Sequence, residues 1–359
     1  MNQHQLHLPR IYYFFIGIYL IINTLLVSAS GETNKHHPHN PCYANKYLYT
    51  GGSGLQKFNP STNKYVWSVL KQLNTFEPVC TKKHIYIGSR SGLFAIESTS
   101  GKVLWSIGSK NGSKKSWYSP VVVGRFLYVT SLDGWIKKLH KKSGKLVWEK
   151  KLSGWLYPPA VFDKIVITGG KARTLYALST TYGKILWRRP LQQELVYRPI
   201  AANSDTLIIT SYQSKLIAIN VHNNSILWTK THTSAPYTAT VVDKNIIYGD
   251  QNGVMYAVNF KSGKEIWRTP LSGIIRSIPA LSKSTIHSTL VWIGTEAGHI
   301  AALNKNNGAI VWEKNTKQPI VHTLYPLNKK IYFKVDSKKL MFELFSFPKT
   351  ILKTAVSNK

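Results

Sequence analysis

The chain has 359 residues and carries 47 lysines and arginines against 15 acids, a formal net charge of +32. The acids fall mostly at turn or strand-edge positions such as Asp133, Asp163, Asp243 and Asp336. They leave no carboxylate cluster to hold a cation or abstract a proton, which excludes chemistry that needs one.

The first element is an apolar run from Ile11 to Val27 behind Arg10, followed by the small residues Val27-Ser28-Ala29. The run is short for a membrane span, which takes about 20 residues, and has the form of a secretory signal cut after Ala29, with an uncleaved anchor as the alternative. Residues 1–29 are therefore read as signal peptide or N-terminal anchor, and the rest of the chain is expected outside the cytoplasm. Residues 30–40 form a polar linker with His36, His37 and His39 around Pro38. A flexible linker is preferred there to a weak metal site.

From Pro41 onward the chain repeats. Trp67, Trp105, Trp148, Trp187, Trp228, Trp267 and Trp312 follow one another at intervals of 38, 43, 39, 41, 39 and 45 residues. Four positions before each stands a residue that tolerates positive φ: Asn63, Gly101, Gly144, Gly183, Asn224, Gly263 and Gly308. A period near 40 means an array of small sheets. Each unit holds four short segments rich in Val, Ile, Leu, Tyr and Phe, punctuated by Gly, Asn, Ser and Asp, the pattern of four strands joined by tight turns. Large rings repeated at one register are expected to dock neighbouring sheets on one another. Second-strand segments number eight, from Tyr47-Leu48-Tyr49 to Ile331-Tyr332-Phe333. The expected fold is all-β: an eight-bladed propeller over residues 41–355, four antiparallel strands per blade, with Ile351-Leu352 supplying the last strand and 356–359 a tail.

A second ring appears when the units are aligned on the proline that opens them. Two residues before it stand Phe76, Tyr118, Tyr157, Tyr197 and Tyr237, with Arg198 and Arg276 beside the same position. This connection lies near the channel mouth of a propeller. The aromatics are expected to pack between blades; the alternative is a crown that grips a peptide or sugar. Cys42 and Cys80 open adjacent units one residue out of step, which places their side chains on opposite faces and argues against a bridge, although an exported chain permits one. The lysines are spread through the turns, as at Lys102, Lys145, Lys184 and Lys264. They are read as solvated charge, with an anionic membrane surface as the alternative and nucleic acid disfavoured by the signal segment.

The phrases LYALSTTYGKILW (175–187), LFAIESTSGKVLW (93–105) and MYAVNFKSGKEIW (255–267) resemble the pyrroloquinoline-quinone-type propeller repeat. WD40 repeats do not fit, since no Trp of the series is followed by Asp. Chain length and the number of units are similar to the BamB-like branch, small non-enzymatic scaffolds of outer-membrane β-barrel assembly. That resemblance implies a non-catalytic, monomeric envelope scaffold without cofactor or metal, working through protein partners such as the periplasmic part of a β-barrel assembly protein. One departure is plain: no lipobox cysteine follows the signal, and the first cysteine is Cys42. The quinone-dependent dehydrogenases of the family need Ca²⁺ ligands and adjacent cysteines, and this chain has neither pattern. No phosphate-binding loop, nucleophile elbow or His-Glu-x-x-His motif is present. The alternatives carried forward are a secreted carbohydrate- or host-protein-binding propeller and a quinone-binding enzyme.

Overall fold

The computed structural model describes residues 40–108, 116–237, 239–282, 289–327, 330–335 and 339–344. The signal, almost all of the linker and the C-terminal tail expected from the sequence lie outside them. Among the described residues there is no helix. The strands form seven antiparallel four-stranded sheets over 42–75, 79–108, 121–151, 160–190, 200–231, 240–270 and 280–315, blades 1 to 7. Within each blade the strands, here a to d, lie in chain order, and the first strands of neighbouring blades approach one another. Strand a is thus innermost and strand d forms the rim.

The eight four-stranded blades expected from the sequence are corrected to seven. After blade 7 the described residues form only a three-stranded sheet, Tyr325–Leu327, Lys330–Val335 and Lys339–Leu344. The physical reason is legible in the chain: no Gly or Asn with a Trp four positions later follows Leu344, so the phrase that accompanies strand d in the other units is lacking there. Ile351 and Leu352 lie outside the described residues. The short sheet closes the ring. Ile331 and Phe333 pack with Trp292 and Ile300 of blade 7, and Tyr332 packs with Leu48 and Phe58 of blade 1. The Tyr332 hydroxyl donates to the Pro60 carbonyl at 3.2 Å, and Lys334 donates to the Gly51 carbonyl.

The repeated residues explain one another. Six of the seven Trp indole N–H groups donate to a carbonyl in the c–d turn of the next blade: Trp67 to Thr99 at 3.1 Å, Trp105 to Lys141 at 3.1 Å, Trp148 to Thr180 at 3.0 Å, Trp187 to Val221 at 2.8 Å, Trp228 to Phe260 at 2.9 Å and Trp267 to Lys305 at 2.9 Å. The ring lies under the positive-φ residue of that turn. A Cβ on Gly183 (φ +67°) would stand 2.6 Å from the Trp148 ring, and one on Gly144 2.8 Å from Trp105. The Gly of one unit therefore serves the Trp of the unit before it. Where Asn replaces Gly, a neighbour holds it: Arg189 donates to the Asn224 side chain at 2.7 Å, and Lys330 to that of Asn63 at 3.1 Å.

Opposite the Trp on strand c stands Ala95, Ala177, Ala218, Ala257 or Ala302, but blades 1 and 3 carry Lys57 and Lys138. Both lysines are buried and reach the same turns as the indoles, Lys57 donating to Ser98 at 2.9 Å and Lys138 to Thr180 at 2.7 Å. Burial lowers both ammonium pKa values, and the Tyr47 and Phe126 rings at 4.0 Å from the nitrogens offset part of the lost hydration.

Cys42 and Cys80 are joined by a disulfide with Cα atoms 5.8 Å apart. The register argument against a bridge is sound within one sheet and reverses between stacked sheets. The surface of blade 1 that meets blade 2 faces the opposite way from the surface of blade 2 that meets it, so residues on opposite faces are the ones that come together.

Replacing Gly183 with Ala forces a methyl against the Trp148 ring at a left-handed backbone position. The expected cost is about 2–4 kcal/mol, read as a fall in Tm of several degrees. The exposed neighbour Thr181→Ala should stay within about 0.5 kcal/mol of the parent.

Candidate functional site

Because the strands alternate in direction, the a–b and c–d turns gather at one end of the propeller and the b–c turns and blade-connecting loops at the other. The second, mouth end holds the aromatic series. Bridges such as Leu156–Gly170 and Leu195–Ser211 tie each connecting loop to the b–c turn of the blade it enters.

The structure brings the five aromatics together and buries them. Phe76, Tyr118, Tyr157, Tyr197 and Tyr237 are each at most 7% exposed. The first four form a continuous arc, with centroid separations of 5.2, 6.1 and 5.5 Å from Phe76 to Tyr197. Burial raises the phenol pKa of Tyr118, Tyr157 and Tyr197, so all three remain neutral hydrogen-bonding groups. The Trp155 indole donates to the Tyr118 hydroxyl at 2.9 Å. The arc is the floor of the mouth, its rings packed against one another at tilted angles.

The two arginines are the part of the series that reaches toward solvent. Arg198 stands 3.6 Å from the Glu77 carboxylate, and Arg276 bonds both Glu296 and the Tyr237 hydroxyl. The Asn40 amide donates to Glu77 at 2.7 Å, and the Asn40 side-chain oxygen accepts from the Thr323 backbone, so the chain enters blade 1 at this end. Glu77 was not picked out from the sequence; its only signal is a lone acid between Phe76 and Pro78. Asp250 and Glu296 occupy equivalent second-to-third-strand turns and are held differently. Asp250 is fully buried, accepting from Ser234 Oγ at 2.7 Å and from the Asn252 and Val254 amides, and Glu296 pairs with Arg276.

A cleft of about 320 Å³ opens between blades 4 and 5. Ile209, Ile217 and Ile219 lie within it, and Arg189, Gln193 and Gln213 are among its polar residues. No spacing in the chain announces it, because a cleft between blades arises from side chains some 20 to 30 residues apart. Among the described residues no group of three or more His, Cys, Asp or Glu could hold a metal. What the mouth offers chemically is paired charge and hydrogen-bonding edges over an apolar floor, the composition of a protein-docking surface.

A family model described as outer membrane protein assembly factor BamB matches residues 132–277 and 251–343, together more than half of the chain. The chain belongs to the BamB-like family of propellers with pyrroloquinoline-quinone-type repeats. An outer membrane protein assembly factor BamB of Burkholderia pseudomallei is 26% identical over 225 residues, covering 59% of this chain and 58% of that protein. The chain spans less than two thirds of the length of this protein and of the BamB relatives from Yersinia pestis and Legionella pneumophila. Two solved structures share the fold: BamB from Moraxella catarrhalis (TM-score 0.65, 18% identity, 87% of this chain and 97% of that one) and the computationally designed Ika8 protein (TM-score 0.73, 13% identity, 88% and 98%).

Burial raises the Glu77 pKa above the ordinary 4.5, against the opposing pull of Arg198 and Asn40. A carboxyl raised in the folded state favours folding most below pH 4.5, and that contribution fades as pH rises through the raised value. Glu77→Gln, neutral throughout, should therefore gain Tm relative to the parent as pH rises from 4 to 8. A difference that is flat with pH would remove Glu77 from this role.

Proposed function

We propose that this chain is a non-catalytic scaffold of the cell envelope that assists assembly of outer-membrane β-barrel proteins, as the names of its BamB relatives describe. The observation that carries the reading is family membership joined to the accounting of the fold. The repeated Trp, Gly and Lys residues are occupied in joining blades, which leaves the loops that differ between blades as the working surface. The Cys42–Cys80 bridge supports an exported location, because such bonds persist in oxidising compartments. The proposed working surface is the mouth end: Arg198 and Arg276 above the floor of Phe76, Tyr118, Tyr157, Tyr197 and Tyr237, together with the cleft between blades 4 and 5. The proposed domain plan is a signal or anchor over 1–29, a linker over 30–40 and the propeller beyond.

Affinity capture from envelope extract tests the reading. The barrel-assembly protein of the same cell should co-purify with the parent, and Arg198→Ala with Arg276→Ala should weaken capture by about tenfold while Tm falls by only a few degrees. Absence of the barrel-assembly protein from the eluate would contradict the reading and favour a secreted carbohydrate- or host-protein-binding propeller.

A further inference from the structure

Among the described residues, the turns of blades 2 to 4 at the turn end of the propeller are more basic than the loops of the same blades at the mouth end. Blade 2 presents Lys82, Lys83 and Lys102; blade 3 presents Arg125, Lys142 and Lys145; blade 4 presents Lys164 and Lys184. All eight are exposed, and none makes an ion pair among the described residues. Asp163 lies in these turns, and Glu97 stands at the edge of the c–d turn of blade 2, where it accepts from Ser100 Oγ. At their mouth end the same blades, with their connecting loops, carry Arg90, Lys171, Arg173 and Arg198 against Glu77, Asp133 and Glu194 among the described residues. The turns of neighbouring blades share one field: after burial itself, Lys141 and Lys83 are the main causes that push the His84 imidazole pKa down.

The same end carries exposed apolar groups. Tyr182, at the tip of the c–d turn of blade 4, is 73% exposed, more than any other large hydrophobic residue described. Val103 and Leu146 follow Lys102 and Lys145 directly and are 40% and 50% exposed, and Val123 beside Arg125 is 42% exposed. Cations interleaved with exposed aliphatic and aromatic groups match a lipid surface, where phosphates meet the first and the headgroup boundary accepts the second. The predominance of Lys over Arg fits point-charge attraction better than forked recognition of one phosphate. The disulfide places the surface in a compartment where nucleic acid is not the expected polyanion.

We propose that the turn end of blades 2 to 4 docks on a bilayer containing anionic phospholipid, with the lysines at the headgroup phosphates and the Tyr182 ring at headgroup level. The surface lies at the opposite end from the mouth, so it stands or falls independently of the scaffold reading.

Flotation of the full chain with vesicles tests this. Phosphatidylcholine vesicles measure whatever the apolar run 11–27 contributes, and vesicles with about a third phosphatidylglycerol add the anionic surface. Lys142→Gln, Lys145→Gln and Lys184→Gln together should abolish most of the added affinity, on the order of a hundredfold at about tenfold or less per lysine. The mouth-end and rim set Lys71→Gln, Lys171→Gln and Lys215→Gln should change it by less than about tenfold. A polarity-sensitive dye on Tyr182→Cys, the chain's only free thiol, should shift to the blue on the anionic vesicles. Equal losses in the two triple variants would overturn the proposal. So would tight binding to polyglutamate with no dye shift on vesicles, which would assign the surface to an acidic protein.

Discussion

The structure depends on one reciprocal contact: an indole N–H from the rim strand of one blade held by the c–d turn of the next, beneath a residue whose backbone is left-handed. Neither half works alone. The Trp needs a carbonyl partner when its ring is covered, and the turn can admit the ring only where no Cβ intervenes, or where an Asn at that position is steadied by Arg189 or Lys330. A blade by itself would leave one broad apolar face in water. The contact therefore makes stability a property of the ring, in which each sheet contributes the cover for its neighbour.

The ring must close, and it does so by different means. The last sheet has no indole of the series to offer. The Tyr332 hydroxyl takes the place of the N–H by bonding the Pro60 carbonyl in the c–d turn of blade 1, as the Tyr49 and Tyr86 hydroxyls also do to Ser98 and Lys141 in the blades after them. Lys334, almost fully buried, reaches Gly51, and Cys42 is bonded to Cys80 one interface further on. The first blade is thus held from both sides.

What was legible in the sequence was what repeats. Seven Trp with their positive-φ partners gave the blades, their strand count and their packing role, because that information is local and redundant. The number of complete blades is not legible because Ile331-Tyr332-Phe333 reads as a second strand of an ordinary unit, while the lack of a Gly-to-Trp phrase after Leu344 is an absence in a degenerate stretch. The Cys42–Cys80 bridge is hidden because strand alternation speaks for one sheet, while the two cysteines belong to stacked sheets. The mouth was legible in part. The aromatic series follows from alignment on the prolines, but the Arg198–Glu77–Asn40 and Arg276–Glu296 groupings join residues from separate connections, and no spacing announces them. The basic end was equally hidden: the lysines look scattered along the chain until the alternation of strand direction sorts them onto one end.

Amide hydrogen exchange in a Trp228→Phe variant tests the reciprocal contact most directly, since it removes the N–H and leaves an aromatic ring. The contact predicts that protection falls at 259–264, the turn of blade 6 whose Phe260 carbonyl accepts the bond, while 220–225 in the variant's own blade stays as protected as in the parent. Loss confined to 220–225, or no change at either turn, would contradict the view that the blades are joined through these indoles.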